Sequence, residues 1–261
     1  MAAWPPKEVR KYGHVVCPDT CGAVYLSLCE PYSIIEWDAV ILFGDRAKEV
    51  NEEVVALMIA CGAAAGLAAL PLTKKLISER CETVPGHAVL SHRLAPYFWC
   101  LFCAAWFVLI YYAGGGVLER AEYITVFLIC LIIGAVDLVI KKIPNSMILA
   151  LITSKIIFLS LRFDIEEIRR SLWGFLAAAV IFAIPTFFKI SVGAGDMKLA
   201  AVAGFYLGVG GFLQAMVIMA ALMSIYGICI LIRRVGNLRT KTAMGPYLAI
   251  GLILSLIFPL I

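Results

Sequence analysis

Between Val54 and Leu72 the chain carries no charged residue. A hydrocarbon layer about 30 Å thick is crossed by a helix of roughly 20 apolar residues, so one such stretch already limits what the chain can fold into. Comparable stretches recur about eight times, at approximately 54–72, 96–113, 122–140, 146–161, 172–188, 198–212, 213–232 and 243–260. With 62% of 261 residues hydrophobic and 15% charged, there is more apolar surface than one water-soluble core of this size could bury. Inside hydrocarbon each span must satisfy its own backbone hydrogen bonds, which makes the spans helices. The expected fold is an all-α polytopic membrane helix bundle with about eight transmembrane helices. Gly208, Gly210 and Gly211 leave the sixth and seventh spans open to two arrangements, a tight turn between short spans or one broken helix.

Basic residues set the orientation. If residues 73–95, 141–145, 189–197 and 233–242 share a side, that side holds Lys74, Lys75, Arg80, Arg93, Lys141, Lys142, Lys189, Arg233, Arg234, Arg239 and Lys241. The opposite loops hold Arg120, Arg162, Arg169 and Arg170, the last three diluted by Asp164, Glu166 and Glu167. Lys and Arg in short loops mark the cytoplasmic side, so the first set is predicted to face the cytoplasm. The formal net charge is only +4 and is spread through short loops, which suggests a lipid bilayer and no nucleic acid as partner.

Residues 1–52 read as an extramembrane tail of unknown role, and 53–261 as the membrane-embedded domain. His14, Cys17, Cys21 and Cys29 in the tail do not follow a standard zinc spacing. Cys100 and Cys103 form a CxxC within an apolar span, where cysteine behaves as a small hydrophobe. No metal and no cofactor is expected.

The carboxylates carry the chemistry. By these boundaries all of the Asp and Glu residues except Asp137 and Asp196 fall in the tail, in loops or at the span ends. Asp137 stands one helical turn before the third span ends at Lys141, Lys142 and Pro144, and Asp196 opens the sixth. Alternating passes put both near the same face. A carboxylate is costly to keep in hydrocarbon. Two on one face can share a proton, one taking a proton from water while the other gives one to a scissile carbonyl oxygen. Structural readings stay open as well: Asp196 as a first-turn acid favoured by the helix dipole, and Asp137 as an i,i+4 partner of Lys141. Gly193 and Gly195 allow the backbone before Asp196 to turn and be approached closely.

The stretch GAGDMKLAAVAGFYLG, starting at Gly193 − Ala194 − Gly195 − Asp196, resembles the GxGD signature of the type IV prepilin peptidases, which are membrane aspartyl proteases. DLVIKKIPN, from Asp137 to Asn145, is similar to that family's first aspartate motif, and MGPYLAIG, from Met244, to its entry into the last helix. The resemblance covers about residues 120–261. It implies Asp137 and Asp196 as the catalytic pair, with Gly193 and Gly195 as the flexible entry to the second acid and Lys198 beside it. Pro144, Asn145, Gly245 and Pro246 would shape the rim. The implied reaction removes the basic leader peptide from prepilins or pseudopilins at the cytoplasmic face of a bacterial inner membrane.

Longer relatives carry paired CxxC motifs in the loop after the first helix, associated with zinc and with N-methylation of the new amino terminus. Here that loop holds only Cys81 with His87 and His92, which points to a short, peptidase-only branch. A different class of function is a transporter or proton relay using Asp137, Asp196 and Lys155 of the fourth span, and a third is an inactive assembly scaffold. The sequence does not set the oligomeric state.

Overall fold

The computed structural model describes residues 52–80, 90, 92–113, 115–187, 193–233 and 243–259. The expected amino-terminal tail with its His14, Cys17, Cys21 and Cys29, and the loop residues Cys81 and His87, lie outside these. Among the described residues there are seven helices and no strand: α1 Glu52–Ser78, α2 Ala95–Ala113, α3 Val117–Ile140, α4 Asn145–Arg162, α5 Ile165–Phe187, α6 Ala194–Arg233 and α7 Gly245–Ile257. Six are long and apolar enough to cross a membrane, and α7 is shorter. The all-α membrane bundle is therefore as expected.

The number of helical elements differs from the expected eight at one place. The expected sixth and seventh spans belong to one helical element, α6, interrupted at Gly208, whose φ of 71° and ψ of −175° are not helical. Neighbours on either side show that the chain doubles back there. Before the break Gly204 lies against Gly174 and Ala178 of α5, and Gly208 against Arg170, so rising numbers on α6 meet falling numbers on α5. After it, Gly211 meets Ser255, Ala215 meets Gly251, and the Tyr226 and Tyr247 rings stand 5.8 Å apart. The second limb thus runs antiparallel to α7. Gly208 forms the hairpin at the end where α5 begins and α7 finishes, in a backbone region that is essentially reserved for glycine.

α3 is the central helix; Val126, Phe127, Cys130, Ile133 and Val136 are among its buried residues, and α4 and α7 pack on it. α1 packs chiefly on α2, and α5 on α6. Large apolar side chains such as Leu101, Leu149, Leu172 and Val217 are exposed, as expected of a surface solvated by lipid. Hydroxyls on the spans turn inward to their own helix: Thr73 donates to Ala69 O, Thr125 to Ala121 O and Thr153 to Leu149 O. That satisfies them where water is absent.

The turn between α3 and α4 follows from its sequence. Lys141 closes α3 in the left-handed region, with φ 51°, and its N–H donates to Asp137 O at 2.9 Å. Pro144, extended at φ −66° and ψ 126°, caps α4; a helix cannot readily run through the residue before proline. The end of the bundle that holds this turn is called the basic end below.

At Gly208 an added Cβ would lie 2.5 Å from Arg170 Cγ, and the left-handed φ would be strained besides. Gly208→Ala is expected to cost roughly 1–3 kcal/mol and to lower the thermal unfolding midpoint in detergent by about 5 °C. Gly227→Ala, with open space around the new Cβ, should leave the midpoint unchanged or slightly higher. Equal midpoints for wild type and Gly208→Ala would rule out the strained hairpin.

Candidate active site at the basic end

Asp137 sits in the last turn of α3 and is 4% exposed. Its carboxylate Oδ2 accepts a hydrogen bond of 3.0 Å from the N–H of Gly245, the first residue of α7 and 108 positions away in sequence. The free N–H groups and positive dipole of a helix start favour an anion, and Pro246 loses nothing there because the first turn lacks intrahelical acceptors for its N–H. Pro246 also lies over α3: a Cβ at Gly134 would be 3.6 Å from Pro246 Cα.

Asp196 occupies the first turn of α6 and is partly exposed. A Cβ on Gly193 would come 2.7 Å from Asp196 Oδ2, so the carboxylate folds back over that glycine. The same helix start meets the α3–α4 turn at two points. A Cβ on Gly195 would be 3.1 Å from Ile143 Cβ, and Lys198 Nζ donates to Asn145 Oδ1 at 3.2 Å. The structure thus brings Asp137, Pro144, Asn145, Gly193, Gly195, Asp196, Lys198, Gly245 and Pro246 to one end. It combines a buried acid held by a backbone donor with a second acid nearer the surface, an arrangement able to move protons between water and a carbonyl. Beside it an apolar groove of about 270 Å³ runs along Gly134, Leu138, Pro246 and the aromatic face of α2 that includes Phe98 and Trp106. Among the described residues no three His, Cys, Asp or Glu side chains converge as metal ligands.

A larger cavity lies elsewhere. About 620 Å³ in volume, it lies at the opposite end of the bundle among Glu122, Lys155, Arg162, Glu167 and Tyr206. Lys155 Nζ donates to Glu122 Oε1 at 3.2 Å and to Glu167 Oε1 at 2.8 Å, and Arg162 reaches the same two carboxylates. Two expectations change here. Glu122 is not a span-end acid but a buried one, 1% exposed, and Lys155 joins Glu122 and Glu167, not Asp137 and Asp196. The ion pairs there occupy one another, whereas at the basic end, among the described residues, the two carboxylates keep oxygen atoms without a hydrogen-bond partner.

The sequence anticipated Gly245 only as part of a rim. Its direct bond to Asp137 could be read from no local pattern, since it links residues 108 apart.

A polytopic membrane protein with two acids at one end is a recognisable class. Residues 124–232 match the sequence model of the type IV leader peptidase family. That segment is thus similar to the type IV leader peptidases, and the match indicates a peptidase. No curated protein and no solved structure matches the chain.

A Cβ at Gly245 would lie 2.6 Å from Asp137 Oδ2, so Gly245→Ala must displace that carboxylate. Misplacement of a reacting group by about 1 Å can cost on the order of a hundredfold in rate. Gly245→Ala is therefore expected to lower peptidase turnover at least about tenfold while the protein still folds, as judged by its elution and unfolding in detergent. Undiminished turnover would show the Gly245 contact to be dispensable.

Proposed function

We propose that the protein is a membrane aspartyl endopeptidase that removes the basic leader peptide from type IV prepilins or pseudopilins. The convergence of three segments distant in sequence, Asp137 to Asn145, Gly193 to Lys198 and Gly245 to Pro246, carries this reading. Asp137 and Asp196 act as the catalytic pair. One of them, ionised, removes a proton from water as the oxygen attacks the scissile carbonyl; the other, protonated, donates to the carbonyl oxygen. Collapse of the tetrahedral intermediate returns a proton to the leaving amine. Gly193 leaves the Asp196 carboxylate room to fold back, and Gly195 lets the start of α6 approach Ile143. Lys198, bonded to Asn145, ties the second acid's helix to the turn that follows the first, and Pro144 and Pro246 fix the adjoining helix starts.

The surroundings support this substrate class. A leader peptide is followed by a hydrophobic helix, and the apolar groove beside Asp137 suits that helix. The basic loops support a bacterial inner membrane placement with the acids facing the cytoplasm. No cofactor takes part in these steps. Without paired CxxC motifs in the first loop, N-methylation is not part of the proposed activity.

Asp→Asn keeps size while removing the acid and base function. Asp137→Asn and Asp196→Asn should each lower cleavage of a basic-leader prepilin by at least about a hundredfold, at equal expression and membrane insertion. Cys81→Ser should cleave as wild type does. Substantial processing by either folded aspartate variant would remove that residue from the mechanism.

A further inference from the structure

α3 and α6, which carry Asp137 and Asp196, share almost no direct packing; α4 packs on α3 and on the limb of α6 that carries Asp196, whereas α7 packs on α3 and on the second limb. α4 is therefore the element that joins the two acid-bearing segments directly, and α5, which packs on α6, supports it. α7 holds Asp137 through Gly245, while its bonds from Ser255 Oγ to Gly211 O at 2.7 Å and from Gln214 Nε2 to Phe258 O at 2.7 Å fall on the second limb of α6, beyond the Gly208 break.

At α4 the fixing groups form a chain outside the active site. Tyr206 of α6 donates to Leu151 O at 3.0 Å, and its hydroxyl lies 2.6 Å from Ser154 Oγ. The adjacent Lys155 places Nζ 5.2 Å from the Tyr206 ring centroid and bonds Glu122 of α3. Glu122 and Lys155 are 1% and 2% exposed. Tyr206 stands about 15 Å along the same helical limb from Asp196, and Glu122 about 22 Å along α3 from Asp137. Neither interval contains a break, so displacement at one end is carried rigidly to the other.

Stability alone is a weak reason for these charges. Desolvation of a buried ion pair often cancels its attraction, and apolar side chains of similar volume can do as well. What an ammonium between two carboxylates adds is a single register. A leucine or methionine at 155 could slide along its neighbours, whereas Nζ has fixed partners on α3 and α5.

We propose that Lys155, acting with Glu122 and Tyr206, is a positioning residue that sets the spacing of Asp137 and Asp196 from the opposite end of the bundle. This rests on the peptidase reading above. Lys155 touches neither substrate nor the reacting atoms; it works through the helices that carry them.

The test uses purified full-length protein, a synthetic peptide with a basic leader and a hydrophobic helix, and thermal unfolding in the same detergent. Lys155→Met should lower kcat at least about tenfold per folded molecule, with KM changed less than about twofold. Lys155→Arg should recover most of the loss. Tyr206→Phe, which keeps the ring and removes only the hydroxyl, should lower kcat about threefold or more without loss of folding. Arg169→Gln, which breaks the exposed Glu166–Arg169 pair, should behave as wild type. If wild type cleaves the peptide and Lys155→Met keeps its kcat, the positioning role is wrong. It is equally wrong if Lys155→Met fails to fold while Tyr206→Phe keeps wild-type kcat, because the charges would then serve stability only. If wild type cleaves no basic-leader peptide, the peptidase reading itself fails and the positioning role goes with it.

Discussion

A carboxylate within hydrocarbon needs partners or water, and Asp137 obtains a partner from the far end of the sequence. The Gly245 N–H at the start of α7 meets its Oδ2 at 3.0 Å. The helix start favours the ionised acid, but a full-length α7 is unnecessary for that; what matters is that the chain returns to the same end of the bundle as the α3–α4 turn. The hairpin at Gly208 makes the return possible. It reverses α6 so that its second limb ends at the basic end, from which α7 can begin beside Asp137.

The two ends of the bundle then divide their tasks. At the basic end, among the described residues, the two acids keep carboxylate oxygens without a hydrogen-bond partner. At the opposite end Glu122, Lys155, Arg162 and Glu167 saturate one another. A buried charge left single would cost several kcal/mol, so the four are kept together or lost together, and their geometry constrains three helices at once.

Much of this was legible before any coordinates. Spans of about 20 apolar residues revealed the helices, because hydrocarbon permits little else. Short motifs around Asp137, Asp196 and Gly245 identified the residues that meet, because each motif is also a local backbone device: a left-handed stop at Lys141, a glycine entry at Gly193, a proline in the first turn at Pro246. Long-range pairing was not legible. Glu122 looked like a span-end acid because its neighbours Glu119 and Arg120 are polar. Counted from the α3–α4 turn, it and Lys155 differ in depth by about 12 Å, a gap that two long side chains help to bridge. Gly208 was visible as either a tight turn between two spans or a break in one helix, and glycine-rich sequence alone did not decide between them.

The most direct measurement is the mass of the products when the purified wild-type protein meets a peptide containing a basic leader, a hydrophobic helix and a polar tail. A leader peptidase of this geometry gives two products from one cut, with the new amino terminus at the junction of leader and hydrophobic helix. An uncut peptide, or cuts scattered through the polar tail, would contradict a site formed by Asp137 and Asp196 beside an apolar groove.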